Sequence, residues 1–389
     1  MRIGIDGLFA CNNYGGLSIY SKQVIHHLLQ IDAENEYLLF VEKESNVPVQ
    51  PQSNLDIVAL EKRPETTDFK DFYDARVVWD QEILSQAVEM SGIDLFFGPV
   101  FMAPLKRSCP AVITVHDLIF ITHPEVYPVQ TLGYYGVWGR LCAENAEGIV
   151  TISQDTARLL QERYTLPHEK ISVTYAAAEE SLKPADTTED VSKIQEKYNF
   201  KPNYVLYVGG TFPARKNYQT LIRAYAQLPK EIRHKHQLVF LTGSKKGSGV
   251  RKMNEFFQAE GFSSEITEDI VVIDFVEREE LTSFYQGATL FVYPSLYEGF
   301  GLPPLEAMCC GTPVVTTTAP AMSEIVAEYG MLVDPLDVTE MAQAMENVLT
   351  EPQLQDTLSQ KGLRRAQDFS WTQTAKLTLQ AFDQVMRSQ

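Results

Sequence analysis

Basic side chains are scarce in this 389-residue chain: 33 lysines and arginines stand against 51 aspartates and glutamates, a formal charge of −18. A surface this acidic repels phosphate backbones and anionic lipid, which argues against nucleic-acid binding and leaves at most weak peripheral contact with membranes. Cysteine is also sparse. The five present include the neighbours Cys309 and Cys310 but no Cys-x-x-Cys and no Cys/His ligand spacing, so neither a disulfide framework nor a zinc site is expected. No apolar run reaches the roughly 18 residues of a membrane-crossing helix. The opening MRIGIDGLFA leads straight into an expected strand and lacks the apolar stretch of a signal peptide. The Gly-x-Gly-x-x-Gly of dinucleotide-binding enzymes is missing after that strand, against an NAD-dependent enzyme. These absences predict a soluble, cytoplasmic protein with reduced thiols.

What is present is ordinary globular composition, 44% apolar and 22% charged, at a length that suits two domains. Charge divides unevenly. Residues 1–190 hold 14 basic and 28 acidic side chains and residues 191–389 hold 19 and 23, so an anionic ligand belongs with the second half. Short β-branched and aromatic runs predict strands at Ile3–Asp6, Tyr37–Val41, Leu55–Leu60, Asp94–Phe97, Val112–His116, Ile149–Ile152 and Ile171–Thr174. The series restarts with Tyr204–Val208, Leu238–Leu241, Val271–Phe275, Leu290–Tyr293, Val314–Thr317 and Met331–Val333. Amphipathic stretches lie between many of them, among them Ile19–Leu29, Tyr218–Leu228 and Met341–Leu349. Continuous apolar strands alternating with helices predict α/β architecture with parallel sheets covered on both faces. Two series predict two tandem Rossmann-like domains, 1–180 and 190–371, separated by the polar stretch Glu179–Asp190, with a final helix near 372–389. Ligands in such sheets sit beyond the carboxyl ends of the strands, so the loops there are where chemistry is expected.

The strongest signal follows the strand Leu290–Tyr293: Glu298-Gly299-Phe300-Gly301-Leu302-Pro303-Pro304-Leu305-Glu306-Ala307-Met308. Proline suits the first helical positions and biases Leu302 away from helical dihedrals, so a helix starts here. The amides of Phe300, Gly301 and Leu302 then sit beside a positive helix end, a ready phosphate site. Glu298 in the loop and Glu306 in the helix reach different parts of one ligand. A solvated pair of glutamates flanking a turn is the bland alternative, which the Gly and Pro context disfavours.

The segment resembles the hallmark of family 4 retaining nucleotide-sugar glycosyltransferases, which have the GT-B fold. The likeness continues through Gly311-Thr312-Pro313-Val314-Val315, Asp274-Phe275-Val276 and Phe369-Ser370-Trp371. It implies two tandem Rossmann-like domains facing across a cleft: an acceptor-side domain 1–180, with the final helix a candidate to pack back on it, and a donor-binding domain 190–371. It implies that Glu298 contacts hydroxyls of the donor sugar, that Glu306 holds the nucleotide ribose, and that the backbone near Val276 meets the base. The loop Gly209–Asn217 resembles the family's G-x-x-x-x-R-K-N, in which Arg215 and Lys216 would neutralise the leaving diphosphate. Two cations opening a helix are otherwise misplaced against its dipole, and alone they would read as a solvated pair. His116-Asp117 resembles the family's H-D motif, with His116 aimed at the donor sugar; a lone histidine is otherwise most often core. After the first strand, Gly16, Leu17 and Tyr20 fit the family's G-[IL]-G-R-Y and Ser18 and Ile19 depart from it. Close backbone approach to the donor is therefore expected at Gly15 and Gly16.

The implied protein is a retaining, metal-independent hexosyltransferase of polysaccharide assembly, with mannose or glucose favoured. Its donor would be a GDP- or UDP-linked sugar and its acceptor a glycan or lipid-linked glycan. No cofactor is expected, and no metal, since the chain contains no Asp-x-Asp. A sugar phosphorylase, a nucleotide-sugar epimerase and an inactive glycan- or nucleotide-binding subunit share the fold. Three further features are open. His26 and His27 are expected to be partly exposed. Lys245 and Lys246 lie near the nucleotide or are merely solvated. Tyr134-Tyr135-Gly136-Val137-Trp138 is core, acceptor wall or lipid-facing patch.

Overall fold

The computed structural model describes the chain apart from residues 13, 51, 65–68, 186, 188, 211–212, 244–246 and 389, and apart from the side chains of 69–71. Lys245 and Lys246 therefore lie outside the described residues. The chain divides into two compact units, Met1–Ala176 with Ser370–Gln389, and Ala177–Phe369.

The first unit holds a seven-stranded sheet made of β1 (Arg2–Asp6), β2 (Glu36–Glu42), β3 (Leu55–Leu60), β4 (Leu95–Gly98), β5 (Ala111–Val115), β6 (Gly148–Thr151) and β7 (Ile171–Val173). The strands lie in the order β3-β2-β1-β4-β5-β6-β7. The second unit holds six: β8 (Tyr204–Val208), β9 (Gln237–Leu241), β10 (Ile270–Ile273), β11 (Leu290–Tyr293), β12 (Val314–Thr317) and β13 (Met331–Val333), in the order β10-β9-β8-β11-β12-β13. All pairings are parallel; Ile3 stands opposite Tyr37 on one side and Leu95 on the other, as Leu206 does between Val239 and Phe291. Every residue of β4, β5, β6, β9, β11 and β12 is buried, as expected of strands covered on both faces. Strand order reverses between β1 and β4 and again between β8 and β11, the points where loops diverge and leave a crevice.

Four strands end short of expectation, β5, β6 and β7 by one residue and β10 by two, and side chains explain β5 and β10. β5 stops at Val115, and the next residue, His116, turns its ring onto the Pro99 carbonyl. β10 stops at Ile273 because Asp274 instead accepts from the Thr242 hydroxyl at 2.9 Å and from the Val250 amide at 3.2 Å.

The unit boundary also departs from the expected one. The crossing comes at Ala176–Ala177, ahead of the polar stretch 179–190. Glu179 pairs with Arg278 at 2.6 Å, Leu182 enters the second core, and Gln286 donates to the Lys183 carbonyl at 2.7 Å. Those contacts tie the stretch to the second unit.

The chain crosses back after Phe369, and the helix Trp371–Arg387 belongs to the first unit. Its Trp371 ring meets Tyr20 edge-on at 5.8 Å and Phe382 meets Phe97 at 5.1 Å, while Gln384 donates to the Glu169 carbonyl. In the helix Gly16–Ile31, His26 is exposed but His27 is buried with its ring on the Gln23 carbonyl, against the expectation that both would be partly exposed.

Candidate active site

Two loops leave the second sheet at its switch point, one after β8 and one after β11. The Leu296 amide donates to the Arg215 carbonyl at 2.8 Å, so the loops form one surface. Arg215 and Lys216 occupy a 3-10 turn, Ala214–Lys216, rather than the helix start expected for them. Asn217, with φ of 50°, separates that turn from the helix Tyr218–Gln227; its side chain donates to the Pro335 carbonyl and accepts from Thr220.

Glu298 is where the two loops meet. Its Oε1 accepts from Arg215 Nη1 at 2.8 Å, Lys216 Nζ at 2.7 Å, Ser295 Oγ at 2.6 Å and Tyr293 OH at 3.0 Å. Lys216 also donates to the Tyr293 hydroxyl and lies over that ring, 4.7 Å from its centre. Burial alone would raise the carboxyl of Glu298, but the Lys216 and Arg215 charges outweigh it and hold the group down at about 2. Burial pulls the Lys216 ammonium below the usual lysine range, against the attraction of Glu298. The result is an ionised carboxylate bonded on one oxygen only among the described residues. Beside it are two cations whose counter-ion is a side chain that a diphosphate can replace.

The helix Leu302–Cys309 starts at Gly301, which has φ of 116°. A side chain there would be strained, and its Cβ would fall 2.3 Å from Met322 Cε, so only glycine fits. Pro303 and Pro304 have no N–H and the Leu305 amide donates to the Gly301 carbonyl at 3.4 Å, so the backbone donors available to an anion at this helix start are those at 300–302. Phe300 is buried with its ring against Phe369 at 5.8 Å, so its contribution to a ligand is its backbone. Glu306 is 8% exposed, and its Oε2 accepts from Tyr285 OH at 2.7 Å. Burial raises this carboxyl while the tyrosine bond opposes the rise. Val276, beyond β10, is half-buried on the second core next to Phe275, which is 46% exposed.

The remaining candidates lie in the first unit. His116 is 7% exposed; Nε2 stands 2.9 Å from the Pro99 carbonyl, and the ring meets Tyr20 edge-on at 4.7 Å. A carbonyl only accepts, so Nε2 carries the proton and Nδ1 is left as an acceptor. Burial pushes the imidazole down to about 4, so His116 is neutral near pH 7 and any help it gives to developing charge is a hydrogen bond, not a positive charge. Gly15, with φ of 66°, caps the helix Gly16–Ile31, and a Cβ on either Gly15 or Gly16 would meet nothing within 4 Å. The backbone is open to a ligand at both.

The structure thus joins Arg215, Lys216 and Glu298 in one hydrogen-bonded cluster and sets Gly301, Leu302 and Glu306 on the adjoining helix, with His116, Gly15 and Gly16 in the other unit. Sequence reasoning missed Tyr285, Tyr293 and Ser295, which orient the two glutamates. None of the three carries a motif; position at or just past the carboxyl end of β11 was the available signal for Tyr293 and Ser295, and Tyr285, inside the helix Arg278–Gly287, had none. Among the described residues, no cluster of His, Cys, Asp or Glu is arranged for a metal ion, and no helix is long and apolar enough to cross a membrane.

Residues 190–365 match the family described as glycosyl transferases group 1, and residues 14–179 match glycosyltransferase family 4. The chain is 31% identical over 290 residues to O-antigen chain mannosyltransferase B of Escherichia coli, covering 74% of each chain. It is 28% identical over 292 residues to the serotype-specific mannosyltransferase WbdA of the same species, spanning only 35% of that longer protein. Among solved structures, sucrose-phosphate synthase of Thermosynechococcus elongatus matches over 100% of both chains with a TM-score of 0.80 at 21% identity. Anabaena Alr3699/HepE, solved with UDP and glucose, matches over 98% of this chain and 99% of its own with a TM-score of 0.72 at 17% identity. These structural likenesses establish the tandem Rossmann-like GT-B fold.

Proposed function

The chain belongs to the family 4, group 1 glycosyltransferases, and from that premise we propose that it moves a hexose, mannose in the first instance, from a nucleoside diphosphate sugar to a hydroxyl of a growing glycan or lipid-linked glycan. The observation that carries this reading is the cluster of Arg215, Lys216 and Glu298. Mannose is favoured because the similar E. coli proteins are named mannosyltransferases. GDP and UDP are the bases to test first. The two cations and the amides of Phe300, Gly301 and Leu302 receive the diphosphate, Glu298 Oε2 takes a sugar hydroxyl, and Glu306 Oε1 takes the ribose. Gly15 and Gly16 leave room for the donor, and the backbone at Val276 meets the base.

Retention follows from what the carboxylates can do. Glu298, stabilised as an anion by two cations, is a poor nucleophile and a poor base. The anomeric C–O bond breaks with its electron pair passing to the departing phosphate. The acceptor oxygen bonds to the anomeric carbon on the same face, and its proton goes to the phosphate oxygen just released. Rate comes from stabilising that phosphate and from positioning. Two cations and a helix end worth about half a charge supply the stabilisation without a metal. All five cysteines are free, which suits a cytoplasmic enzyme.

The test is a thermal-shift screen with GDP, UDP and ADP, in which a ligand at a hundred times its Kd adds about 2.7 kcal/mol. It is followed by transfer from the matching sugar nucleotide with the product anomer read by NMR. No nucleotide response, or an inverted anomer, overturns the reading.

A further inference from the structure

The sequence of residues 134–138 fits core, acceptor wall or lipid patch, and the structure divides them. Tyr134 is buried in the first unit, whereas Trp138 is only partly so. They belong to a π-helical segment, Tyr134–Gly139, and a second such segment, Trp79–Ile83, faces it. π-Turns are uncommon and recur at functional sites. The two are tied together beneath the surface: Tyr134 OH donates to Asp80 Oδ2 at 2.8 Å and accepts from Arg76 Nε at 3.2 Å. Arg76 in turn reaches Asp6, at the end of β1, at 2.9 Å. Tyr135 packs on Phe101 at 5.1 Å and on Phe120 at 5.6 Å, four residues past His116. The assembly therefore stands at the carboxyl-end rim of the first sheet, the rim that carries His116.

Above that base lies a pocket of about 230 Å³ whose walls include Tyr73, Trp138, Asp74, Gln130 and Gly133. Tyr73 is fixed by its hydroxyl on Thr131 Oγ1 at 3.0 Å and by its ring against Tyr134 at 4.9 Å. A Cβ on Gly133 would meet nothing within 4 Å, so the glycine leaves the pocket open rather than relieving a clash. Two aromatic rings, one carboxylate and one primary amide suit a sugar ring: its C–H edges meet the electron-rich ring faces, and its hydroxyls find acceptors and donors. The volume suits one monosaccharide. The acidic first half and Asp74 in the wall disfavour a phosphorylated ligand. We propose that this pocket binds a neutral pyranose unit of the acceptor glycan, with Trp138 and Tyr73 as its aromatic walls and Asp74 and Gln130 as its hydroxyl partners. The inference rests on the glycosyltransferase reading, since it supplies that reaction's second substrate.

The tryptophans make the test direct. Of the three in the chain, Trp79 is fully buried and Trp371 is 2% exposed, so acrylamide quenching of the full-length protein reports Trp138. Mannotriose or maltotriose at millimolar concentration should lower the quenching constant at least about twofold, and mannose 6-phosphate should not. Trp138→Phe should remove the quenchable signal. Gly133→Leu fills the pocket from a helical position and should abolish protection while leaving Trp138 in place to report it; the melting temperature of each variant establishes that it is folded. Absence of protection by both trisaccharides, or protection that survives in folded Gly133→Leu, overturns the proposal. Equal protection by mannose 6-phosphate overturns it as well, and so does protection by phosphatidylcholine vesicles but by neither trisaccharide, which assigns the surface to lipid. The nucleotide thermal shift on the same preparations separates the two readings. A shift without glycan protection sinks the pocket alone, and glycan protection without any nucleotide shift sinks the donor reading.

Discussion

Replacing Glu298 by glutamine tests whether the carboxylate is a counter-ion that a substrate displaces. A carboxyl held at about 2 instead of 4.5 corresponds to roughly 3 kcal/mol of interaction favouring the anion in the folded protein, at about 1.4 kcal/mol per decade. Glutamine fills the same space and accepts the same bonds without the charge, so Glu298→Gln should cost the unliganded protein about that much. For a domain of this size that is roughly 6–12 °C in Tm. The depressed carboxyl fixes the sign with pH: the stabilisation is fully present above the unfolded value of 4.5 and is lost as pH falls through the folded value near 2. The gap between wild type and variant should therefore be constant from pH 6 to 8 and close in acid.

Binding should move the other way. With Arg215 and Lys216 no longer neutralised, nucleoside diphosphate affinity should rise several-fold even as turnover falls, because the sugar hydroxyl loses its partner. Lys216, relieved of the attraction that opposes its burial, drops further below the usual lysine range, so the gain in affinity should shrink as pH rises. Calorimetric titration with GDP and UDP, beside thermal melts and transfer rates, reads all three quantities. An unchanged Tm, or a loss of nucleotide affinity as large as the loss of turnover, would refute the counter-ion reasoning.

Four other outcomes follow from the same geometry. Tyr285→Phe removes the bond that opposes the raised Glu306 carboxyl, so the acid limb of the kcat/KM profile should move to higher pH; an unmoved limb refutes it. Burial pushes Asp80 up to about 7 against the pull of Arg76, so it lowers stability as pH rises from the unfolded value of 3.8 to about 7. Asp80→Asn should therefore raise Tm at pH 8 far more than at pH 4, and equal shifts in melts at both values would contradict this. Turnover should survive excess EDTA, while Lys216→Ala lowers kcat about a hundredfold and donor affinity less; loss in EDTA with recovery in magnesium or manganese would overturn the metal-free account. His116→Ala should cut turnover about a hundredfold with nucleotide affinity barely changed, and a variant that melts early yet turns over normally when folded would make His116 a core residue.

The fold was legible because buried parallel strands are written as continuous apolar runs. β3, β8, β11, β12 and β13 begin and end at the expected residues. The ends of β5 and β10 differ because a side chain overrides the backbone pattern, at His116 and Asp274, and β6 and β7 each end one residue early. The unit boundary differs for a related reason: the stretch 179–190 looks like a linker by composition, and contacts distant in sequence, Glu179 with Arg278, Lys183 with Gln286 and Leu182 in the second core, show which unit holds it. The π-helical segments left no trace in the hydrophobic spacing, since one extra residue in a turn is absorbed within an amphipathic pattern.

The site was legible in its charged members and silent about their supports. Arg215, Lys216, Glu298 and Glu306 stand out because charged residues beside glycine and proline at strand ends are locally unfavourable unless they serve a ligand. Tyr293, Ser295 and Tyr285 do not stand out, because a tyrosine or serine among apolar neighbours reads as core. Yet Tyr293 and Ser295 hold Glu298 Oε1, and Tyr285 holds Glu306 Oε2. A carboxylate free to rotate would satisfy both cations with both oxygens and offer a substrate nothing. Tied by one oxygen, it keeps its charge on the cations and presents the other oxygen to a hydroxyl. The hydroxyl groups thus keep the ion pair from using both carboxylate oxygens, and the proposed binding of a diphosphate sugar rests on that arrangement.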